Sequence, residues 1–92
     1  MIKSFKDKLT GKVFYREFVK KFAAIETAAR KKLLMIDAAE EITDLLTPPS
    51  NHLEMLKGDR KGQRSSRIND QYRVCFIWKN DGAYDVEIVD YH

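Results

Sequence analysis

Asp90, Tyr91 and His92, a carboxylate, a phenol and an imidazole in a row, are the residues of this chain best suited to proton transfer. A terminal segment is ordinarily frayed, so three such groups directly after a strongly patterned strand read as positioned. The bland alternative is a polar strand end without chemistry. Upstream, Lys57, Arg60 and Lys61 lie on a loop leading into an expected meander, Arg67 lies on its second strand and Arg73 on its third. Neighbouring strands are spaced by about 4.8 Å, so Arg67, Arg73 and the end of the last strand can share one face as a cationic groove. RNA cleavage without a metal needs a base for the ribose 2′-hydroxyl, cations for the phosphorane charge and an acid for the leaving 5′-oxygen. The groove holds candidates for each.

The elements that must position these groups follow from periodicity. Ala83 to Val89 alternates, which predicts Tyr84, Val86 and Ile88 on one face and Asp85 and Glu87 on the other. Continued, the alternation places Asp90 and His92 with the apolar set and Tyr91 opposite. Gln63 to Ile68 also alternates, Asn69-Asp70 reads as a tight turn into Tyr72 to Trp78, and Asn80-Asp81-Gly82 turns into the final strand. Three antiparallel strands result. Val74 to Trp78 is apolar on both faces, as suits a central strand covered on one side. Arg73 beside it belongs on the open face, because an unpaired buried guanidinium is costly.

The first half is helical. Ile2 to Phe5 suits a short first strand, and a helix is predicted over 7–18, weakened by Gly11. Phe22, Ile25, Ala29, Leu33 and Ile36 form one stripe of a second helix. Glu40 to Leu46 is a further helical piece, stopped by Thr47-Pro48-Pro49. The fold class is therefore α+β, N-terminal helices on a small twisted antiparallel sheet, in a single domain over 1–92.

Composition excludes several classes. The chain has 92 residues, 43% apolar and 34% charged, and carries a net charge of +3. No apolar run is long enough to span a membrane, and the start lacks the apolar centre of a signal peptide. A lone cysteine, Cys75, forms no internal disulfide, which favours a reducing cytoplasm; mid-strand, it reads as a small buried hydrophobe. The charge is banded: residues 1–32 carry +7, 33–56 carry −5, 57–79 carry +5 and 80–92 carry −4. The N-terminal band is either a solvated helical face or a local cluster with affinity for a polyanion. His52 and His92, without paired cysteines, make no metal signature, and Gly58 and Gly62 make no phosphate loop. Trp78 and Tyr72 read as core rather than base-stacking platforms.

Leu56-Lys57-Gly58-Asp59-Arg60-Lys61-Gly62, Arg67 to Phe76 and Asp85 to His92 together resemble the HigB group of the RelE-like toxins of bacterial type II toxin-antitoxin modules. The resemblance spans essentially the whole chain and is strongest over 53–92. It implies a RelE-like fold, ribosome-dependent cleavage of messenger RNA in the A site by 2′-hydroxyl attack, and no metal or other cofactor. It also implies inhibition by a HigA-like helix-turn-helix antitoxin, through which alone operator DNA is contacted, and no membrane partner. Carried over residue by residue, it makes Asp90, Tyr91, His92, Lys57 and Arg73 catalytic positions. Some members place a histidine three residues before the lysine, where this chain has Glu54; Glu54 is either the general base or a surface charge. His52 could substitute only with a shifted loop. Arg60, Lys61, Arg64 and Arg67 are expected to contact RNA by charge. The alternative is a non-enzymatic, ParE-like binding toxin of the same fold acting on another macromolecule.

Overall fold

The computed structural model describes residues 1–91, so His92 lies outside the described residues. Asp7 starts the first helix, α1 (Lys8–Phe14), its carboxylate accepting the Thr10 N–H at 3.3 Å. The helix stops short of the predicted residue 18. Arg16, at φ 64°, adopts the left-handed conformation, donating its N–H to Val13 O at 3.2 Å while Glu17 N–H reaches Lys12 O at 2.8 Å. Glycine usually makes this helix closure, which hides the stop from a sequence reading. Gly11 is tolerated inside α1 because it seats the Phe5 ring, whose Cδ2 would lie 3.3 Å from an added Cβ.

A 3-10 turn, Lys20–Ile25, runs into α2 (Glu26–Ala38), and the predicted stripe Phe22, Ile25, Ala29, Leu33 and Ile36 is buried as expected. The acidic stretch after it closes as a 3-10 turn, Ile42–Leu46, with Glu41 and Asp44 capping reciprocally. Another short turn, Pro49–Asn51, leads to the sheet. Asn51 is buried there and locks three segments together: its amide donates to Leu45 O (3.2 Å) and Thr47 O (3.3 Å), and its Oδ1 accepts from Lys32 of α2.

The sheet is an antiparallel meander of β1 (Glu54–Met55), β2 (Arg64–Arg67), β3 (Tyr72–Lys79) and β4 (Gly82–Asp90), in that spatial order. It has four strands where the alternation predicts three, since β1 has only two residues and is too short to show a period. Val74 and Phe76 of β3 meet Val13, Ala29, Leu33 and Ile36 of the helices in the core, joined by Ala83, Val86 and Ile88 of β4. Tyr72 and Trp78 pack against this core, Tyr72 edge-on to Phe22 at 5.9 Å and Trp78 edge-on to Phe76 at 6.5 Å.

The expected alternation of β4 fails at one point. Cys75 pairs with Glu87 and Ile77 with Tyr84, so Asp85 and Val86 together oppose Phe76. This bulge, with Asp85 at φ 52°, inserts one residue and reverses the facing of everything before it. Val86 and Ile88 face the helices as predicted, but Tyr84 faces away, donating to Asp81 at 2.6 Å. Beyond the bulge the alternation holds to the strand end: Asp90 pairs with Tyr72 on the helix-facing side, and Val89 pairs with Arg73 on the open side.

The free edge of β4 is sealed by the N-terminal segment. Ile2 and Phe5 bridge Ala83 and Val86 in parallel, the geometry that the short first strand expected at Ile2 to Phe5 takes here. Farther on, Thr10 Oγ1 accepts the Ile88 N–H at 3.0 Å. The approach is close enough to require glycine at 82, where a Cβ would lie 2.2 Å from Met1 O. An exposed edge would otherwise invite pairing with other chains.

Candidate active site

The open face of the sheet carries the site, and its register decides which residues meet. Arg67 stands opposite Arg73, Ser65 opposite Cys75, Cys75 opposite Glu87, and Glu54 opposite Ser65. Paired residues share a face, so Glu54, Ser65, Cys75 and Glu87 form one row with Arg67 and Arg73 beside it. The predicted common face of Arg67 and Arg73 is therefore present, continued on the last strand by Val89, whereas Asp90 pairs with Tyr72 on the helix-facing side and leaves that face.

Arg73 is the most constrained cation. Its Nε donates to Ser65 Oγ at 2.8 Å, and its Nη2 donates to His52 O at 2.5 Å and Ser65 O at 3.5 Å. His52 sits at φ 43°, which turns its carbonyl onto the guanidinium while its ring stays exposed. Tyr91 covers the other side, its ring centroid 5.8 Å from Arg73 Cζ. Its backbone N–H donates to Gln71 O at 2.6 Å, which ties the end of the strand to the β2–β3 turn. Asp90 faces the other way and accepts from the Gln71 amide at 3.1 Å. The third terminal group, His92, lies outside the described residues.

The remaining cations divide. Arg60 bonds Glu87 at 2.9 Å and Gln63 at 3.1 Å, and this hydrogen bond to the Glu87 carboxylate holds its guanidinium above its ordinary pKa. Lys6 adds to the same carboxylate at 3.8 Å. Arg67 pairs with Asp70. Among the described residues, Lys57, Lys61 and Arg64 have no side-chain partner. Lys57 and Lys61 line an apolar hollow of about 390 Å³ with Met55, Leu56, Gly58 and Gly62. Arg64, opposite Phe76 and Met55, belongs to the other face of the sheet from Arg73. Glu54 is exposed and, among the described residues, unpaired.

Cys75 is fully buried in the middle of this polar face, and burial pushes its thiol above its ordinary pKa against the pull of Arg60 and Arg73. Lys32, half-buried against Asn51, is lowered by that burial and by Lys31 and Arg67. Among the described residues no group of three or more His, Cys, Asp or Glu could hold a metal, and no helix is long and apolar enough to cross a membrane.

Sequence reasoning missed four supporting groups. Ser65, the His52 carbonyl and Asn51 hold Arg73 and its surroundings, and Glu87 holds Arg60 and Lys6. Ser65 was within reach, since it lies two residues from Arg67 on an alternating strand. The other three depend on turns with no periodic signature: Asn51 and His52 lie in one, and Glu87, on the face that the alternation predicts, is met by Arg60 from another.

A helical layer behind an open antiparallel sheet is a fold that a solved structure shares. The YoeB-YefM complex from Staphylococcus aureus superposes with a TM-score of 0.63 at 18% identity, over 100% of this chain and 95% of that one. The family described as RelE-like toxin of type II toxin-antitoxin system HigB matches residues 3–92, and the chain belongs to it. The Endoribonuclease HigB of Proteus vulgaris is 34% identical over 93 residues, covering 100% of both chains. Toxin HigB-1 of Vibrio cholerae is 46% identical over 56 residues, 61% of this chain and 59% of that protein, and an uncharacterized Haemophilus influenzae protein is 45% identical over 51 residues, 55% and 50%. The match thus spans about half to three-fifths of the length of these last two relatives.

Proposed function

We propose that residues 1–92 act as one toxin domain, a metal-independent endoribonuclease that cuts messenger RNA in the ribosomal A site, in the cytoplasm, and is neutralised by a HigA-like antitoxin. The observation that carries this reading is the fixed Arg73 guanidinium between Ser65 and Tyr91 on the bare sheet face, with Glu54 on the adjoining row. A cation already held in place stabilises charge that develops on a phosphorane without reorganising at the moment of reaction. The name of the Proteus vulgaris relative supports the same chemistry.

In the reaction, Glu54 takes the proton of the ribose 2′-hydroxyl, the 2′-oxygen bonds to the adjacent phosphorus, and the bond to the 5′-oxygen breaks. His92 donates the proton that the leaving 5′-oxygen needs. The products are a 2′,3′-cyclic phosphate and a 5′-hydroxyl, and no co-reactant is consumed. Arg73 and Lys57 bear on the phosphate, Tyr91 keeps Arg73 oriented, and Asp90 anchors the strand end through Gln71. Lys61 and Arg64 are the cations free to meet ribosomal RNA, whereas Arg60 and Arg67 are engaged within the chain.

The test is cleavage of a defined message on programmed ribosomes. A message with 2′-deoxyribose at the cleavage position should bind and resist cutting, and His92→Gln should cut about 10²- to 10⁴-fold more slowly, the usual share of general acid catalysis. Cutting of the deoxyribose message at the normal rate would overturn the mechanism, and growth arrest without any message cleavage would favour a pure binding toxin.

A further inference from the structure

The loop that carries Lys57 closes on itself. Leu56 N–H donates to Gln63 O at 2.8 Å, Gln63 N–H donates to Arg60 O at 2.9 Å, and a short 3-10 turn, Gly58–Arg60, lies between. Gly58 (φ 64°) and Gly62 (φ 92°) form its left-handed corners, and a Cβ added at either would meet nothing within 4 Å. The corners therefore stand in open space. Among the described residues Lys57, Asp59 and Lys61 have no side-chain partner, so the side-chain hydrogen bonding between this loop and the rest of the chain runs through Arg60. Its Nη1 donates to Glu87 Oε1 on β4 at 2.9 Å and to Gln63 Oε1 at 3.1 Å. Lys6 approaches the same Glu87 oxygen at 3.8 Å, and its backbone N–H donates to Val86 O at 3.0 Å. One carboxylate thus joins the loop, the open face of the sheet and the N-terminal segment that seals its edge.

We propose that Glu87 is a positioning residue for RNA cleavage: through Arg60 it holds the loop so that Lys57 and Arg73 bear on the same phosphate. The inference rests on reading the chain as an endoribonuclease with Lys57 at the scissile phosphate. Arg73 is fixed by its own contacts, whereas the Lys57 ammonium has none, so its place relative to Arg73 depends on where the backbone of the loop is held. A misplacement of about 1 Å at a reacting group costs on the order of 10²-fold in rate. The Glu87 side chain is 19% exposed and that of Arg60 31%, and a charge-assisted bond so sheltered from water is stronger than an exposed ion pair. A carboxylate on a face that receives RNA repels the phosphate backbone. The presence of Glu87 there is accounted for by the order it imposes on the loop.

The experiment uses the intact chain. Single-turnover cleavage of message already bound on programmed ribosomes, with ribosome affinity alongside, is measured for wild type, Glu87→Gln, Arg60→Ala and Lys57→Ala, and for each of the first two substitutions combined with Lys57→Ala. Circular dichroism confirms that every variant is folded. Glu87→Gln should cut bound message about 10- to 10²-fold more slowly and bind the ribosome at least as tightly as wild type, because one carboxylate fewer raises the positive charge of that face. In the Lys57→Ala background, Glu87→Gln and Arg60→Ala should each cost less than about 2-fold, the mark of residues that act through one group. A further full loss in that background would put Glu87 or Arg60 to work independently of Lys57 and would overturn the proposal. Limited trypsin digestion, followed at Lys57 and Lys61, reads the loop without RNA: Glu87→Gln should be cut there several-fold faster than wild type, since a released loop opens more readily. Cutting at the wild-type rate would show that Leu56, buried at the foot of the loop, holds it alone, and would also overturn the proposal. A message left uncut by wild type would count against the endoribonuclease reading, whereas the trypsin rates read the loop by itself.

Discussion

On the bare face of the sheet the Arg73 guanidinium is gripped by a hydroxyl and two carbonyls and roofed by a phenol ring, while on the outward face of α2 Lys31 stands over an apolar floor with no partner among the described residues. The two regions use the same kind of charge for different work. A fixed cation has already lost its conformational freedom and offers its charge at one point, which suits a transition state. An unpaired one acts through its field, which suits capture of a partner. The split also runs through the basic band at 57–79, where Arg60, Arg67 and Arg73 are engaged and Lys57, Lys61 and Arg64 are not. Charge counting along a sequence cannot separate these sets, because engagement depends on Glu87, Asp70 and Ser65 across the sheet or turn.

The largest expected effect breaks the comparison at its fixed end. Arg73→Ala should lower the rate of cleaving already bound message about 10²- to 10³-fold, the scale of losing one preorganised charge donor. Arg73→Lys should recover little, since one ammonium cannot reproduce a planar fork held at Ser65 and His52. Lys61→Ala with Arg64→Ala should leave that rate nearly unchanged and make ribosome association weaker and less salt-dependent. Single-turnover cleavage and salt-dependent binding, measured side by side, check the contrast; similar losses of affinity from both sets would dissolve it.

A second effect sharpens the comparison by asking what keeps Arg73 fixed. Asn51 is 1% exposed and holds Leu45 O, Thr47 O and Lys32, immediately before the carbonyl of His52 that Arg73 grips. Asn51→Ala strands two carbonyls and a half-buried ammonium, which should cost about 2 to 3 kcal/mol by urea denaturation. It should also slow cleavage more than it weakens ribosome binding. Loss of stability without that kinetic bias would make Asn51 a purely architectural residue.

How far the sequence anticipated the molecule depended on whether a feature was periodic. The stripe from Phe22 to Ile36, the central strand and the shared face of Arg67 and Arg73 all express a regular repeat, and all are present. Tyr84 was assigned to the wrong face because the bulge at Asp85 shifts the register by one, and an aspartate at positive φ gives no advance notice of that. The predicted 7–18 helix was too long because an arginine, not a glycine, makes its left-handed closure. Within the site, residues were recognisable by type and by family resemblance. Their engagement was not, since Arg60 and Arg67 find their acids through the meander and its turn.

The smallest effect concerns the thiol that the fixed cations surround. Cys75 is buried, and that burial raises its pKa although Arg60 and Arg73 oppose the rise. The folded chain therefore keeps the thiol proton at pH values where the unfolded chain has begun to lose it, and unfolding there releases a proton. Stability from this source is fully present below the ordinary thiol pKa and is lost as pH rises from that value through the folded one. Urea midpoints should thus fall more steeply on the alkaline side in wild type than in Cys75→Ala. Alkylation by iodoacetamide should be slow in the native state and become fast on unfolding, because the thiolate is the reactive form. Arg60→Ala removes one of the cations that favour the thiolate, so it should retard alkylation further. Faster alkylation in that variant would mean that Arg60 shields Cys75 sterically and that its electrostatic pull is the lesser effect.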